Sequence, residues 1–136
     1  MSTVDLPHKQ SFVLRDIDWN GYRSIAESVG ESHVRLTYDR GNLEFMTLSH
    51  GHERWSGLLG RLIEALTEEL DVACQSGGST TLDREDLERG LEPDRCYYLE
   101  HKAAVRDKDQ IDLAVDPPPD LAIEVDISRS SLSRMN

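Results

Sequence analysis

Apolar positions along the chain fall into runs of two different periods. From Trp19 they return at helical spacing, through Tyr22, Ile25, Ala26 and Val29, until Gly30 closes the run. Asp18 stands where an N-cap belongs, since its carboxylate can accept an orphan amide of the first turn. The period then drops to two. Val34, Leu36 and Tyr38 alternate, Asp39-Arg40-Gly41-Asn42 supplies a turn, and Leu43, Phe45 and Thr47 alternate again, which predicts a β-hairpin. The longest helical pattern follows, from about His52 to Asp71. Trp55, Leu58, Leu59, Leu62, Ile63, Leu66 and Leu70 form its apolar stripe, the face expected to turn inward. Gly57 and Gly60 interrupt it at a cost of roughly 1 kcal/mol each relative to Ala, which predicts close approach of another element there.

The second half is less regular. Val72 to Gln75 reads as a strand running into a Gly- and Ser-rich loop, and Asp83 to Arg89 as a charged connection. Cys96-Tyr97-Tyr98-Leu99 has the aromatic content of a strand. Residues 101–116 are charged and read as a loop enclosing a short extra strand. Pro117-Pro118-Pro119 admits neither helix nor ladder. After it, Leu121, Ile123, Val125 and Ile127 alternate with Ala122, Glu124 and Asp126 in the clearest strand pattern of the chain. Residues 1–12 look like a polar lead-in, and Ser128 to Asn136 like the capped start of a helix.

Length adds that 136 residues make about one domain. The 38% apolar content is lean, yet its periodic placement argues for a folded chain. No uncharged apolar run reaches the roughly 18–20 residues of a membrane span. Met1 to Gln10 lacks the apolar centre of a signal peptide, so a cytoplasmic location is expected. Cys74 and Cys96, without a C-x-x-C, read as small buried hydrophobes rather than a disulfide or zinc framework. Charge changes the picture more. Fifteen basic residues against 26 acidic give −11, and such a surface repels nucleic acid unless cations or a local basic patch intervene.

Two acids draw attention. Asp94 follows a proline at the mouth of one strand, and Glu124 lies on the polar face of another. If the strands are neighbours, both carboxylates reach one side of a sheet, and two converging hard oxygen ligands suit Mg²⁺ or Mn²⁺. The blander reading, a Pro-Asp turn and a solvated strand acid, is favoured by spacing alone. Asp126 could add a third ligand but reads first as an outward-facing acid. His50-Gly51-His52 has H-x-H spacing, although helix-start polarity is the simpler account. Glu53 falls in the first helical turn, where the macrodipole alone explains an acid. Asp120, after the prolines, reads as a turn residue. No phosphate-cradling glycine loop and no nucleophile elbow is present.

The order of these pieces carries a resemblance. Gly41-Asn42-Leu43-Glu44-Phe45-Met46, His52-Glu53 opening a leucine-rich helix, Glu92-Pro93-Asp94, then Pro119-Asp120-Leu121-Ala122-Ile123-Glu124-Val125 and Ser128 together resemble the Uma-two family of bacterial endonucleases in the PD-(D/E)XK nuclease superfamily. The resemblance runs from about Leu14 to Arg134 and rests on order and spacing rather than on any single motif. It implies an α+β, restriction-endonuclease-like core: a mixed sheet flanked by helices, with an N-terminal helix and β-hairpin. Asp94 matches the acid of the family's P-D, Glu124 the acid of its E-V, and His52 and Glu53 the start of the first core helix. Asp94 and Glu124 are thereby implied as Mg²⁺ or Mn²⁺ ligands, and DNA as the substrate. The family pattern runs past Asn136 through a helix and a strand, so residues 1–136 are expected to be a single endonuclease-like domain truncated at its C-terminus.

One departure matters. The superfamily's lysine, two residues after the second acid, is here Asp126, and Lys9, Lys102 and Lys108 are the only lysines. Arg134 stands near the place to which that lysine migrates in some members, and it can hold phosphate but cannot accept a proton near neutral pH. Two functions therefore remain open: a metal-dependent endonuclease hydrolysing DNA phosphodiester bonds, with Asp94 and Glu124 on the metal and His52 and Glu53 supporting them, or a catalytically inactive binding or assembly module of the same fold. A homodimer is a further expectation, because cutting two strands favours pairs and an open sheet edge invites them.

Overall fold

The computed structural model describes residues 11–30, 33–78 and 80–125. Asp18 caps the first helix as expected: its carboxylate accepts the Gly21 amide at 2.7 Å, and α1 runs Trp19–Val29. Strands β2 (Val34–Asp39) and β3 (Asn42–Thr47) pair antiparallel from Val34↔Thr47 to Asp39↔Asn42. Their two-residue loop has positive φ at both Arg40 (44°) and Gly41 (93°), the turn whose twist matches that of the flanking strands. A strand β1 (Ser11–Leu14) adds to the far side of β3, where Phe12 stacks on Phe45 with centroids 4.7 Å apart. On the other side lie β6 (Arg89–Leu91), then β5 (Leu82–Arg84), giving the order β1-β3-β2-β6-β5.

The packing of α1 on this sheet follows from its apolar face. Tyr22, Leu36, Tyr38 and Leu43 are buried together, with Tyr22 and Tyr38 stacked at 4.6 Å and Trp19 set edge-on to both. Such pairs contribute about 0.5–1.5 kcal/mol beyond the area they bury. Their hydroxyls are satisfied: Tyr38 donates to the Ile17 carbonyl at 2.8 Å and Tyr22 to Asp83 at 2.6 Å, while Arg23 pairs with the other Asp83 oxygen. Gly90 makes this possible, since a Cβ there would sit 2.3 Å from the Tyr22 hydroxyl.

A second, three-stranded sheet carries the rest, ordered β4 (Gln75–Gly78), β7 (Arg95–Tyr98), β8 (Leu121–Ile123). Central β7 buries Cys96, Tyr97 and Tyr98. The long helix α2 (His50–Glu69) is tied to β7 through the Arg95 side chain, which bonds the Ser56 carbonyl, and a short helix α3 (Lys102–Val105) precedes the loop to β8. That loop is organised by its acids. Asp116 is buried against Lys108 and accepts the Asp112 amide, and Asp120 accepts the amides of Leu99 (2.6 Å) and His101 (3.2 Å), as a turn residue should. Hydrogen bonds from these amides and from Lys108 hold both carboxyls below the usual aspartate range, with Lys108 leading for Asp116 and the Leu99 amide for Asp120.

The α+β class stands, with the strands distributed over two antiparallel sheets where one mixed sheet was expected. Four local readings change. Ser11–Leu14 is a strand, not lead-in, because pairing with β3 orders a segment too short to signal itself. The strand expected at Val72–Gln75 starts at Gln75 and uses the glycines. The charged connection from Asp83 holds part of β5, a single 3-10 turn at Glu85–Leu87, and the start of β6. Residues 101–116 contain α3 and no strand. The largest correction concerns α2. His52, Ser56 and Gly60 are its buried residues, while Trp55, Leu58, Leu62, Leu66 and Leu70 are exposed. The small residues on this side face the Arg95 side chain of β7, which bonds the Ser56 carbonyl and abuts Gly60. Among the described residues no helix is long and apolar enough to cross a membrane. Ile127, Ser128 and the expected final helix lie outside the described residues, as do Asp126 and Arg134.

Candidate functional site

The N-terminus of α2 positions the first residue of the site. Ser49 caps the helix by accepting the His52 amide at 3.1 Å, which sets His52 at the third helical position, on the buried face. Four residues on, Ser56 receives Arg95: the guanidinium Nε donates to the Ser56 carbonyl at 2.8 Å, with the Ser56 hydroxyl 3.2 Å away. Gly60 completes the seat, because a Cβ there would lie 2.9 Å from Arg95 Nε. The approach predicted for the helix glycines is thus real at Gly60, whereas Gly57 faces open space. Arg95 is the first residue of β7, so this contact pins the helix start over the residue before it, Asp94.

Asp94 is buried, and its Oδ2 accepts twice: from the Val125 amide at 2.7 Å and from His52 Nε2 at 3.0 Å. A carboxylate only accepts, so Nε2 is assigned as the donor. Nδ1 of the same ring is buried with no hydrogen-bond partner among the described residues. Glu124 is half-buried, with its Oε1 enclosed. Strands β7 and β8 pair Tyr97↔Leu121, Cys96↔Ala122 and Arg95↔Ile123. The pairing ends at Arg95↔Ile123; continued by one residue, it would set Asp94 across from Glu124. The hydrogen bond to Val125, Glu124's chain neighbour, draws the Asp94 carboxyl towards the same place.

Glu53 lies apart from this cluster. It is exposed and lines a cleft of about 1660 Å³ whose wall includes Arg35, Thr81, Asp83 and Glu92 but none of His52, Asp94 or Glu124. Eight carboxylates and three arginines line that cleft. Glu92, two residues before Asp94, accepts from Arg35 at 3.3 Å and Thr81 at 3.2 Å, and burial pushes its carboxyl up. His50 is exposed while His52 is buried, so the H-x-H pair does not converge. Cys96 is buried and Cys74 half-buried, both as free thiols; burial raises the Cys96 thiol, as suits an inert packing residue. Among the described residues no group of three or more His, Cys, Asp or Glu is arranged to hold a metal ion.

The sequence pattern gave no role to Arg95 or Ser56, and Glu92 entered it only within Glu92-Pro93-Asp94. Gly60 was the only signal for the first two, and nothing in the alternation of β2 marks Arg35 as the partner of Glu92. Compared with known proteins, the chain matches the family model Uma2, described as "Putative restriction endonuclease", over residues 19–135. No curated protein and no solved structure matches it significantly. The match begins at the first residue of α1 and takes in every element from there to β8, Asp94 and Glu124 included, and on that extent the chain belongs to the Uma2 family.

Proposed function

We propose that the protein is a metal-dependent endonuclease that hydrolyses DNA phosphodiester bonds at a site built on Asp94 and Glu124. The observation that carries this reading is the pairing of β7 with β8 in a register that, continued, opposes the two acids. The donor set fits Mg²⁺ or Mn²⁺. Mg²⁺ is commonly held by one or two carboxylates plus substrate phosphate and keeps several waters, so a third protein ligand is not required. When bound, the cation supplies charge stabilisation to the phosphoryl group and acidifies a water.

The chain's own residues do the rest. His52 and the Val125 amide both bond Asp94 Oδ2, which fixes the carboxyl group and would leave Oδ1 for a cation. His52 is on this view a positioning residue, acting through Asp94. Arg95, seated on Ser56, keeps the start of α2 over the strand. Glu53 stands on the cleft wall, apart from Asp94 and Glu124, and takes no part in this site. Arg134 would contact phosphate.

Plasmid cleavage in Mg²⁺ or Mn²⁺ tests the proposal. The wild type is expected to nick or linearise DNA, and Asp94→Ala and Glu124→Ala to lose that activity; a variant that cleaves as well as the wild type contradicts the assignment. A second reading, a binding or assembly module without catalysis, is favoured by the eight carboxylates of the cleft and by the aspartate in place of the lysine. Absence of cleavage together with absence of cation binding would support it.

A further inference from the structure

One buried hydroxyl lacks a counterpart. Tyr97 is fully buried in central β7, yet its hydroxyl makes no hydrogen bond among the described residues. Buried polar groups are so regularly paired that an orphan points to something that completes it. Side chains alternate along a strand, so Tyr97 shares the face of Arg95, whose guanidinium reaches α2 at Ser56. Tyr97 therefore faces the later turns of that helix, where it lines a pocket of about 300 Å³ with Glu64 and Glu68. Val72, beyond the helix end, and Ser76, the cross-strand partner of Tyr97, close the other sides. The neighbouring hydroxyls are engaged elsewhere: Thr67 donates to the Ile63 carbonyl at 2.9 Å, and Ser76 accepts the Gly78 amide at 3.2 Å.

We propose that this pocket takes a small organic cation, a linear aliphatic diamine, whose ammonium groups meet Glu64 and Glu68 and donate to the Tyr97 hydroxyl. Charge selects the sign of the ligand. No lysine or arginine lines the pocket, and none occurs from Leu62 to Asp83. Glu64 and Glu68 are exposed, and neither carboxylate has an ion pair among the described residues. They stand one helical turn apart, where like charges repel until a cation intervenes. The C-terminal end of α2 adds the negative end of its dipole, and its last turn holds no basic side chain. Geometry selects a diamine. Four helical residues rise about 6 Å, a span that two ammonium groups on a short methylene chain can bridge. The methylenes find apolar surface on the Tyr97 ring and Val72, which a bare metal ion would leave unused. The inference is independent of the nuclease reading, since the pocket includes none of His52, Asp94 or Glu124.

Titration calorimetry of the 136-residue chain with 1,4-diaminobutane at low salt reads the binding directly. One site per chain is expected, unaffected by Asp94→Ala, and the uncharged 1,4-butanediol should give no heat. Tyr97→Phe removes only the hydroxyl and should weaken binding roughly 10-fold. Because that hydroxyl has no partner in the fold, the unliganded variant should melt at or above the wild-type temperature. Glu64→Gln and Glu68→Gln alter exposed residues, so the chain stays folded by circular dichroism. Each should weaken binding about 3-fold, and the two together about 10-fold. No heat at millimolar diamine overturns the proposal, as does binding that either Tyr97→Phe or the double glutamine variant leaves unchanged. Equal binding of the diol overturns the role of charge, and loss of binding in Asp94→Ala would place the amine at the other acids and overturn the pocket.

Discussion

Two glycines three residues apart in α2 allow the seating of the helix on β7 to be weighed directly. Gly57→Ala places a methyl in open space, so the only change is helix propensity, a gain of about 1 kcal/mol. Gly60→Ala brings the same gain, but its Cβ would sit 2.9 Å from Arg95 Nε and 3.0 Å from Cδ and Cζ. Arg95 must then leave the Ser56 carbonyl that it binds at 2.8 Å. A hydrogen bond to a charged group contributes about 1.5–3 kcal/mol, so Gly60→Ala should be net destabilising by about 0.5–2 kcal/mol. The gap between the variants, about 1.5–3 kcal/mol, isolates the contact because propensity cancels. Urea unfolding followed by circular dichroism reads both values. If Gly60→Ala stabilises as much as Gly57→Ala, Arg95 is not held beneath the helix, and the route by which α2 delivers His52 to Asp94 fails.

Other consequences follow from the same contacts. Gly90→Ala would drive a methyl into the Tyr22 hydroxyl and Asp83, and is expected to cost about 2–3 kcal/mol in the same assay; a change below about 0.5 kcal/mol would contradict the packing of α1 on β6. Asp120 is held below the usual aspartate range first by the Leu99 amide, then by the amide and ring of His101. Because its folded-state value is depressed, its stabilisation is complete above the unfolded-chain value and is lost as pH falls through the folded one. A carboxyl-carbon NMR titration should give a midpoint below that of an unstructured aspartate, and Asp120→Asn should flatten the acid limb of the thermal stability curve. An ordinary midpoint refutes the turn geometry.

How far the sequence could be read depended on where its constraints lay. Local ones were legible. The α1 stripe, the Asp18 cap and the Arg40-Gly41 turn each follow from residues within a few positions of one another. Elements defined by distant partners were not. Strand β6 is Arg-Gly-Leu, a sequence with little strand character of its own. It is a strand because β2 and β5 pair with it, and because Gly90 clears the space for Tyr22 and Asp83. Helix α2 shows the same limit in another form. Periodicity located the helix, but the buried side was decided by His52, Ser56 and Gly60, whose role depends on Arg95 some 39 positions beyond Ser56. For the candidate site, Asp94 and Glu124 were visible as acids with strand context. Their neighbourhood depends on how β7 and β8 pair, which no local pattern reveals; the pairing ends one residue short of both acids. Glu53, adjacent to His52 in sequence, parts from it in space because one helical position turns it to the cleft.

The central claim is that Asp94 and Glu124 share one divalent cation. Titration calorimetry with Mn²⁺ on the wild type, Asp94→Ala and Glu124→Ala tests it without relying on catalysis. One site per chain in the wild type, lost in each variant while circular dichroism shows the fold intact, is the predicted result. No heat at millimolar Mn²⁺, or binding that survives both substitutions, would contradict it.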